Sequence, residues 1–229
     1  MKNRHRARWL PALLLACAGA AGAATADPMA ERVRACAGCH GEEGRSAIES
    51  YAPSIAGKPE GYLLQQLTGF RDGRRSHAVM QQMLAWLSDD YLRDMARYYS
   101  TREPAKLPRP PQAAPAVLAQ GRRLVEQGDA ARKLPACAAC HGQSLLGLQP
   151  AIPGLLNLRA EYLQAQLGAW RSGTRHAPAP DCMADIAGRL SGEEIAAITA
   201  WIASRELPRD HRPAVRREQP LPIDCGGVP

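Results

Sequence analysis

Ala35-Cys36-Ala37-Gly38-Cys39-His40-Gly41 recurs further along the chain as Ala136-Cys137-Ala138-Ala139-Cys140-His141-Gly142. The landmarks that follow also recur, in the same order. Pro53-Ser54-Ile55-Ala56-Gly57 is echoed by Pro150-Ala151-Ile152-Pro153-Gly154. Tyr62-Leu63, Gln66-Leu67, Phe70-Arg71 and Gly73 are echoed by Tyr162-Leu163, Gln166-Leu167, Trp170-Arg171 and Gly173. Met80 stands eight residues before Ser88, and Met183 eight before Ser191. An ordered set of landmarks repeated once predicts two homologous domains rather than a solenoid.

The domains are expected over 27–103 and 116–206. The stretch between, 104–115, is rich in proline and predicts a stiff, extended linker. A second segment rich in proline and arginine, 207–229, ends the chain, and its plainest reading is a solvated tail. Within each domain the apolar spacing is helical. Leu63, Gln66, Leu67 and Phe70 share a face, as do Leu163, Gln166, Leu167 and Trp170. Ser88 before Asp89-Asp90, and Ser191 before Glu193-Glu194, predict helix N-caps with acids in the first turn; Ser191 with Glu194 makes a capping box. The helices that follow carry Leu92, Met95, Ala96 and Tyr99, and Ile195, Ile198 and Ile202. No alternating run rich in Val or Ile appears, so the fold class is all-α. The connecting loops are long enough to need an organiser.

The amino terminus changes the charge argument. The chain has 229 residues and a formal net charge of +7. Lys2, Arg4, Arg6 and Arg8 precede an apolar run from Trp9 to Ala16, and Ala24-Thr25-Ala26 supplies a small-residue cleavage pattern. Residues 1–26 therefore read as a secretory signal peptide, which places the chain in the periplasm. Cys17 after Leu14-Leu15-Ala16 offers an alternative, a lipid anchor. Without the leader, 25 Lys+Arg face 22 Asp+Glu, a net +3. So modest a charge argues against nucleic acid as a partner. No apolar stretch reaches the ~18 residues that a spanning helix needs.

Cys-x-x-Cys-His is the covalent attachment signature of c-type haem. Two cysteines one helical turn apart reach the two vinyl groups of one porphyrin, and the adjacent histidine projects at the iron. A zinc site built from two Cys-x-x-Cys pairs would leave both histidines unexplained. Two haem c groups are therefore expected. They also answer a shortage of core material, since only 5% of residues are aromatic. Cys36, Cys39, Cys137 and Cys140 are the attachment residues; His40 and His141 are the proximal ligands. Met80 and Met183, each in the loop before its closing helix, are the expected ligands on the opposite face, which gives electron-transfer centres rather than open sites. Met83 and Met95 compete with Met80, and His77 and His176 offer a bis-histidine alternative. The proline loops near Pro53 and Pro150 are candidates to hold the second nitrogen of each proximal histidine. Arg75 and Arg175 are candidate propionate contacts. Cys182 and Cys225 remain, and in an oxidising compartment they predict a disulfide pinning the tail across the second methionine.

These residues resemble the dihaem cytochrome c4 family. The resemblance covers about residues 29–205 and rests on both attachment motifs, the Pro-x-x-x-Gly loop, the Tyr-Leu…Leu…aromatic-Arg-x-Gly helix and the Met before Leu-Ser. It implies two class I cytochrome c domains packed face to face about a pseudo-twofold axis. It implies His/Met ligation by His40 with Met80 and by His141 with Met183. It implies single-electron transfer in the periplasm, commonly from a bc1 complex to a terminal oxidase, by a monomer or weak dimer. Cys182, the Cys225 tail and the long linker depart from the pattern. They favour weighing a second role, a cytochrome subunit that relays electrons from a dehydrogenase such as a flavin enzyme. A dihaem peroxidase is a third reading, opposed by the paired methionines.

Overall fold

A computed structural model describes residues 28–46, 51–107, 113–215 and 220–228. The signal peptide and Cys17 lie outside these residues, as does the centre of the linker. Domain one comprises α1 (Pro28–Arg32), α2 (Arg34–His40), α3 (Glu60–Arg71), α4 (Ala78–Leu84) and α5 (Asp89–Ser100). Domain two comprises α6 (Pro115–Gln127), α7 (Cys137–His141), the strands β1 (Gly147–Leu148) and β2 (Ile152–Pro153), α8 (Ala160–Arg171), α9 (Cys182–Gly188) and α10 (Gly192–Ala203). The two-residue strands pair antiparallel, Gly147 with Pro153 and Leu148 with Ile152. This small hairpin is the one departure from an all-helical reading among the described residues.

Each domain has its own core. In domain one, Leu92, Met95, Ala96 and Tyr99 of α5 meet Leu63 and Phe70 of α3, with Val33 and Leu84 closing the sides. In domain two, Ile195, Ile198 and Ile202 of α10 meet Leu124 of α6 and Leu163 of α8. The caps form as their residue types dictate. Ser88 Oγ accepts the Tyr91 N–H at 3.3 Å. Ser191 Oγ accepts from Glu194 N at 3.1 Å while the Glu194 carboxylate accepts from Ser191 N at 2.9 Å, so four groups satisfy each other.

Domain two opens on a helix of 13 residues where domain one has only the five of α1. The long α6 crosses α10 at Gly121, where an added Cβ would collide with the Ala197 carbonyl and the Trp201 side chain. The close crossing brings Leu124 and Val125 to 1% and 0% exposure.

The domains meet about a pseudo-twofold axis at two glycine turns. Ser76 N–H donates to Thr174 O at 3.0 Å, and reciprocally His176 N–H donates to Arg74 O at 2.6 Å. The tail is tied to the body by hydrogen bonds, although each of its described residues stays exposed or half-exposed. Gln149 N–H donates to Ala214 O at 2.8 Å, and Ala214 N–H to Gly147 O at 3.0 Å. Further on, Gly226 N–H donates to Pro180 O at 2.9 Å. The start of the linker is also stitched down: Leu107 N–H donates to Asn157 Oδ1, and Asn157 Nδ2 to Ala105 O, each at 2.8 Å.

Candidate haem sites

α2 and α7 each end in a histidine that the following loop grips. Both imidazoles are 8% exposed. His40 Nδ1 lies 2.9 Å from Pro53 O, and His141 Nδ1 lies 2.8 Å from Pro153 O. A carbonyl can only accept, so Nδ1 carries the proton and Nε2 is left with a free lone pair, the form that binds a metal. Burial lowers the pKa of both rings, which keeps them neutral.

The second carbonyl corrects one expectation. Pro153, not Pro150, holds His141. The repeat had been matched through Gly57 and Gly154, but the structural counterpart of Gly57 is Asn157. Gly57 has φ +69° and Asn157 φ +59°, the left-handed conformation that asparagine tolerates. Pro153-Gly154-Leu155-Leu156-Asn157 is thus the true second copy, 12 residues after its histidine where Pro53 is 13 after His40. Counting from the histidine would have found it.

Cys36, Cys39, Cys137 and Cys140 stand outside any disulfide. Burial pushes the Cys137 thiol up to about 12 and raises that of Cys36. The structure places Met80 and Met183 in the short helices α4 and α9 rather than in loops. Local caps explain the helices: His77 Nδ1 accepts the Met80 N–H at 3.3 Å, and Asp181 accepts from Ala184 N at 3.0 Å. Both methionines are half-buried, and Met80 packs against the domain-one core. Met95 is 3% exposed within that core, whereas Met83 is 47% exposed. His77 serves as the cap of α4, and His176 is exposed.

Arg75 and Arg175 tie the seam. Arg75 donates to Gln66 Oε1 (3.1 Å), Gln166 Oε1 (2.6 Å) and the Tyr162 hydroxyl (3.0 Å). Arg175 donates to Gln166 Oε1 and Gln66 Oε1, both at 2.8 Å. Each guanidinium stacks on the aromatic ring of its own repeat, Phe70 at 4.3 Å and Trp170 at 3.8 Å. Burial, with Arg75 alongside, lowers the pKa of Arg175. The sequence offered these arginines as propionate contacts; what the structure adds is this lattice, in which most of their donors already have acceptors.

Two other donors have none. Arg159 Nε and Trp170 Nε1 are buried without an acceptor. Arg159 lines a cavity with Pro53, Ser54 and Tyr162, and Trp170 lies under Arg175. Orphaned donors here fit a group that brings carboxylates into the seam, as haem does. Together with the two held imidazoles and the unbridged Cys-x-x-Cys pairs, they make the residues present suited to haem c.

Cys182 and Cys225 are joined, with a Cα–Cα distance of 5.1 Å. The bond lays the tail beside Met183, and Gln65 Nε2 of α3 donates to the Gly227 carbonyl. The tail therefore touches both domains.

Comparisons agree with this geometry. A family model for cytochrome c matches residues 118–206. The chain is 36% identical to the thiosulfate dehydrogenase electron acceptor of Thiomonas intermedia, over 75% of this chain and 79% of that protein. It is 37% identical to cytochrome c4 of Pseudomonas aeruginosa, over 82% of this chain and 92% of that protein. The crystal structure of reduced recombinant cytochrome c4 from Pseudomonas stutzeri superposes with a TM-score of 0.65 at 32% identity, covering 76% of this chain and 95% of that one.

Proposed function

The chain belongs to the cytochrome c4 family, and on that premise we propose that it is a periplasmic dihaem relay that takes single electrons from a thiosulfate-oxidising dehydrogenase. Covalently bound haem c, one group per domain, supplies the one-electron iron chemistry. Cys36 with Cys39, and Cys137 with Cys140, anchor the groups. His40 and His141 would hold the irons through a ring nitrogen, and Met80 and Met183 would hold them through sulfur. The observation that carries the reading is the repeated pair of buried imidazoles, each held through Nδ1 by a proline carbonyl. Two such fixed sites in series suit storage and passage of electrons, because ligands that do not rearrange keep the reorganisation on electron transfer small.

The dehydrogenase partner is supported by the thiosulfate dehydrogenase electron acceptor at 36% identity. We place the donor on the methionine side of domain one. There Val79, Met83 and Trp86 are 57%, 47% and 96% exposed, beside Met80. On the matching side of domain two the tail is fastened at Cys182. No described helix is long and apolar enough to cross a membrane, which suits a carrier that meets its partners by diffusion.

Stopped-flow mixing of the oxidised protein with a thiosulfate dehydrogenase and thiosulfate tests this. Reduction of both haems, absent with thiosulfate alone, is the expected result. Failure there, with rapid reduction by a quinol-oxidising membrane complex, would assign the chain instead to transfer between respiratory complexes.

A further inference from the structure

The loop that holds His141 is gripped from the other domain. It runs from Pro150 to Gly154, and domain one bonds it at both ends. Gly61 N–H, in the first turn of α3, donates to Pro150 O at 3.0 Å. Lys58 Nζ donates to Gly154 O at 3.1 Å, across 96 residues of sequence. Between these two points Pro153 O accepts from His141 Nδ1. The approach at Gly61 admits no side chain, since an added Cβ would stand 2.8 Å from Pro150 O. On the matching Pro53 loop, Ser54 Oγ and Ile55 N–H both donate to Gly44 O of the same domain, at 3.2 and 2.8 Å. At the positions that correspond to Lys58 and Gly61, domain two has Leu158 and Glu161. Leucine has no donor to return the grip.

We propose that Lys58 is a positioning residue for the second haem site, and that domain one thereby sets the reduction potential of haem two. This rests on the assignment of His141 as an iron ligand. The chain of causes is short. Lys58 and Gly61 fix the Pro150–Gly154 loop. The loop fixes how strongly the Pro153 carbonyl draws on the His141 ring N–H. That bond raises the basicity of the imidazole, which favours the oxidised iron and lowers the potential. Loosening the loop raises it.

The test compares Lys58→Met with Lys58→Gln in the full-length, haem-loaded protein. Both remove the charge, but only glutamine keeps an N–H donor. Potentials are measured haem by haem by redox titration, with NMR of the paramagnetically shifted haem methyls as the assignment. Exchange of the His141 ring N–H is followed alongside. The methionine variant is expected to have the higher haem-two potential, faster ring N–H exchange, and a haem-one potential equal to that of the glutamine variant. Gly61→Ala, which displaces the other end of the loop, is expected to move haem two in the same direction. Equal haem-two potentials and equal exchange in the methionine and glutamine variants would overturn the proposal, because charge alone would then account for any shift from wild type. So would a matching difference at haem one. A wild-type protein whose second haem lacks low-spin, six-coordinate spectra would overturn the ligand assignment itself, and the proposal with it.

Discussion

The two domains share a plan but differ on their methionine sides. In domain one, α4 and the turn after it show solvent Val79, Met83 and Trp86. In domain two, the residue matching Val79 is Cys182, and it holds the tail by a disulfide. The residues matching Met83 and Trp86 are Ile186 and Arg189. Ile186 packs against the core, and Arg189 bonds Asp185 at 2.6 Å. One duplicated unit has thus become an exposed, apolar face and a more polar one to which the tail is fastened. A pair of equivalent sites becomes directional when their surfaces suit different partners.

The largest effect is expected from Cys225→Ser, which frees the tail from domain two. The cysteines are 43 residues apart in sequence. Closing a loop of that size contributes about 2–4 kcal/mol, so denaturant unfolding should shift by that amount. If the tail also shields Met183, carbon monoxide should then bind the dithionite-reduced variant but not the wild type. Unchanged stability and unchanged spectra would mean that domain two is closed without the strap.

A smaller effect should separate the two closing helices. Ser191→Ala is expected to cost about 1 kcal/mol, and more than Ser88→Ala, because only α10 has the reciprocal capping box. Domain two adds Arg132, which donates to Glu194 at 2.7 Å and to Asp129 at 2.9 Å. These bonds hold both carboxyls below their ordinary range. A lowered carboxyl pKa stabilises the fold above the unfolded value of ~4.3 and ceases to do so as pH falls through the folded value. Glu194→Gln should therefore destabilise domain two at pH 7 and converge on the wild type in strong acid. A constant difference across an acid titration would exclude this.

The smallest effect on stability falls at Trp86. Trp86→Ala should change the unfolding free energy by less than about 0.5 kcal/mol, since the side chain packs on almost nothing. Its effect should appear instead in the bimolecular rate of reduction by the dehydrogenase, falling severalfold with both potentials unmoved. An unchanged rate would move the donor away from this face.

Some of this was legible without coordinates. The attachment motifs, proximal histidines and serine caps are short-range patterns, so each carries its own signal. The pairing of Cys182 with Cys225 followed from elimination, as the two cysteines outside the motifs and the leader. Other features were not legible. The proline loop near Pro150 does hold His141, but its register was not legible, because Asn157 stands where the first repeat has Gly57. The methionine helices were missed because seven-residue helices, capped by His77 and Asp181, carry little periodicity. Arg159 and Trp170 gave no signal at all, since an unpaired donor is visible only once its surroundings are packed.

The sequence by itself determined that there are two homologous helical units, each built around a Cys-x-x-Cys-His motif, because these properties depend on residues one or two helical turns apart. Only the tertiary structure decided how the units differ. The strapped tail, the Arg75–Arg175 lattice and the Lys58 bond to Gly154 join residues 43 to 109 positions apart. Contacts at such range obey no period, and they exist only once two packed surfaces bring the partners within hydrogen-bonding distance.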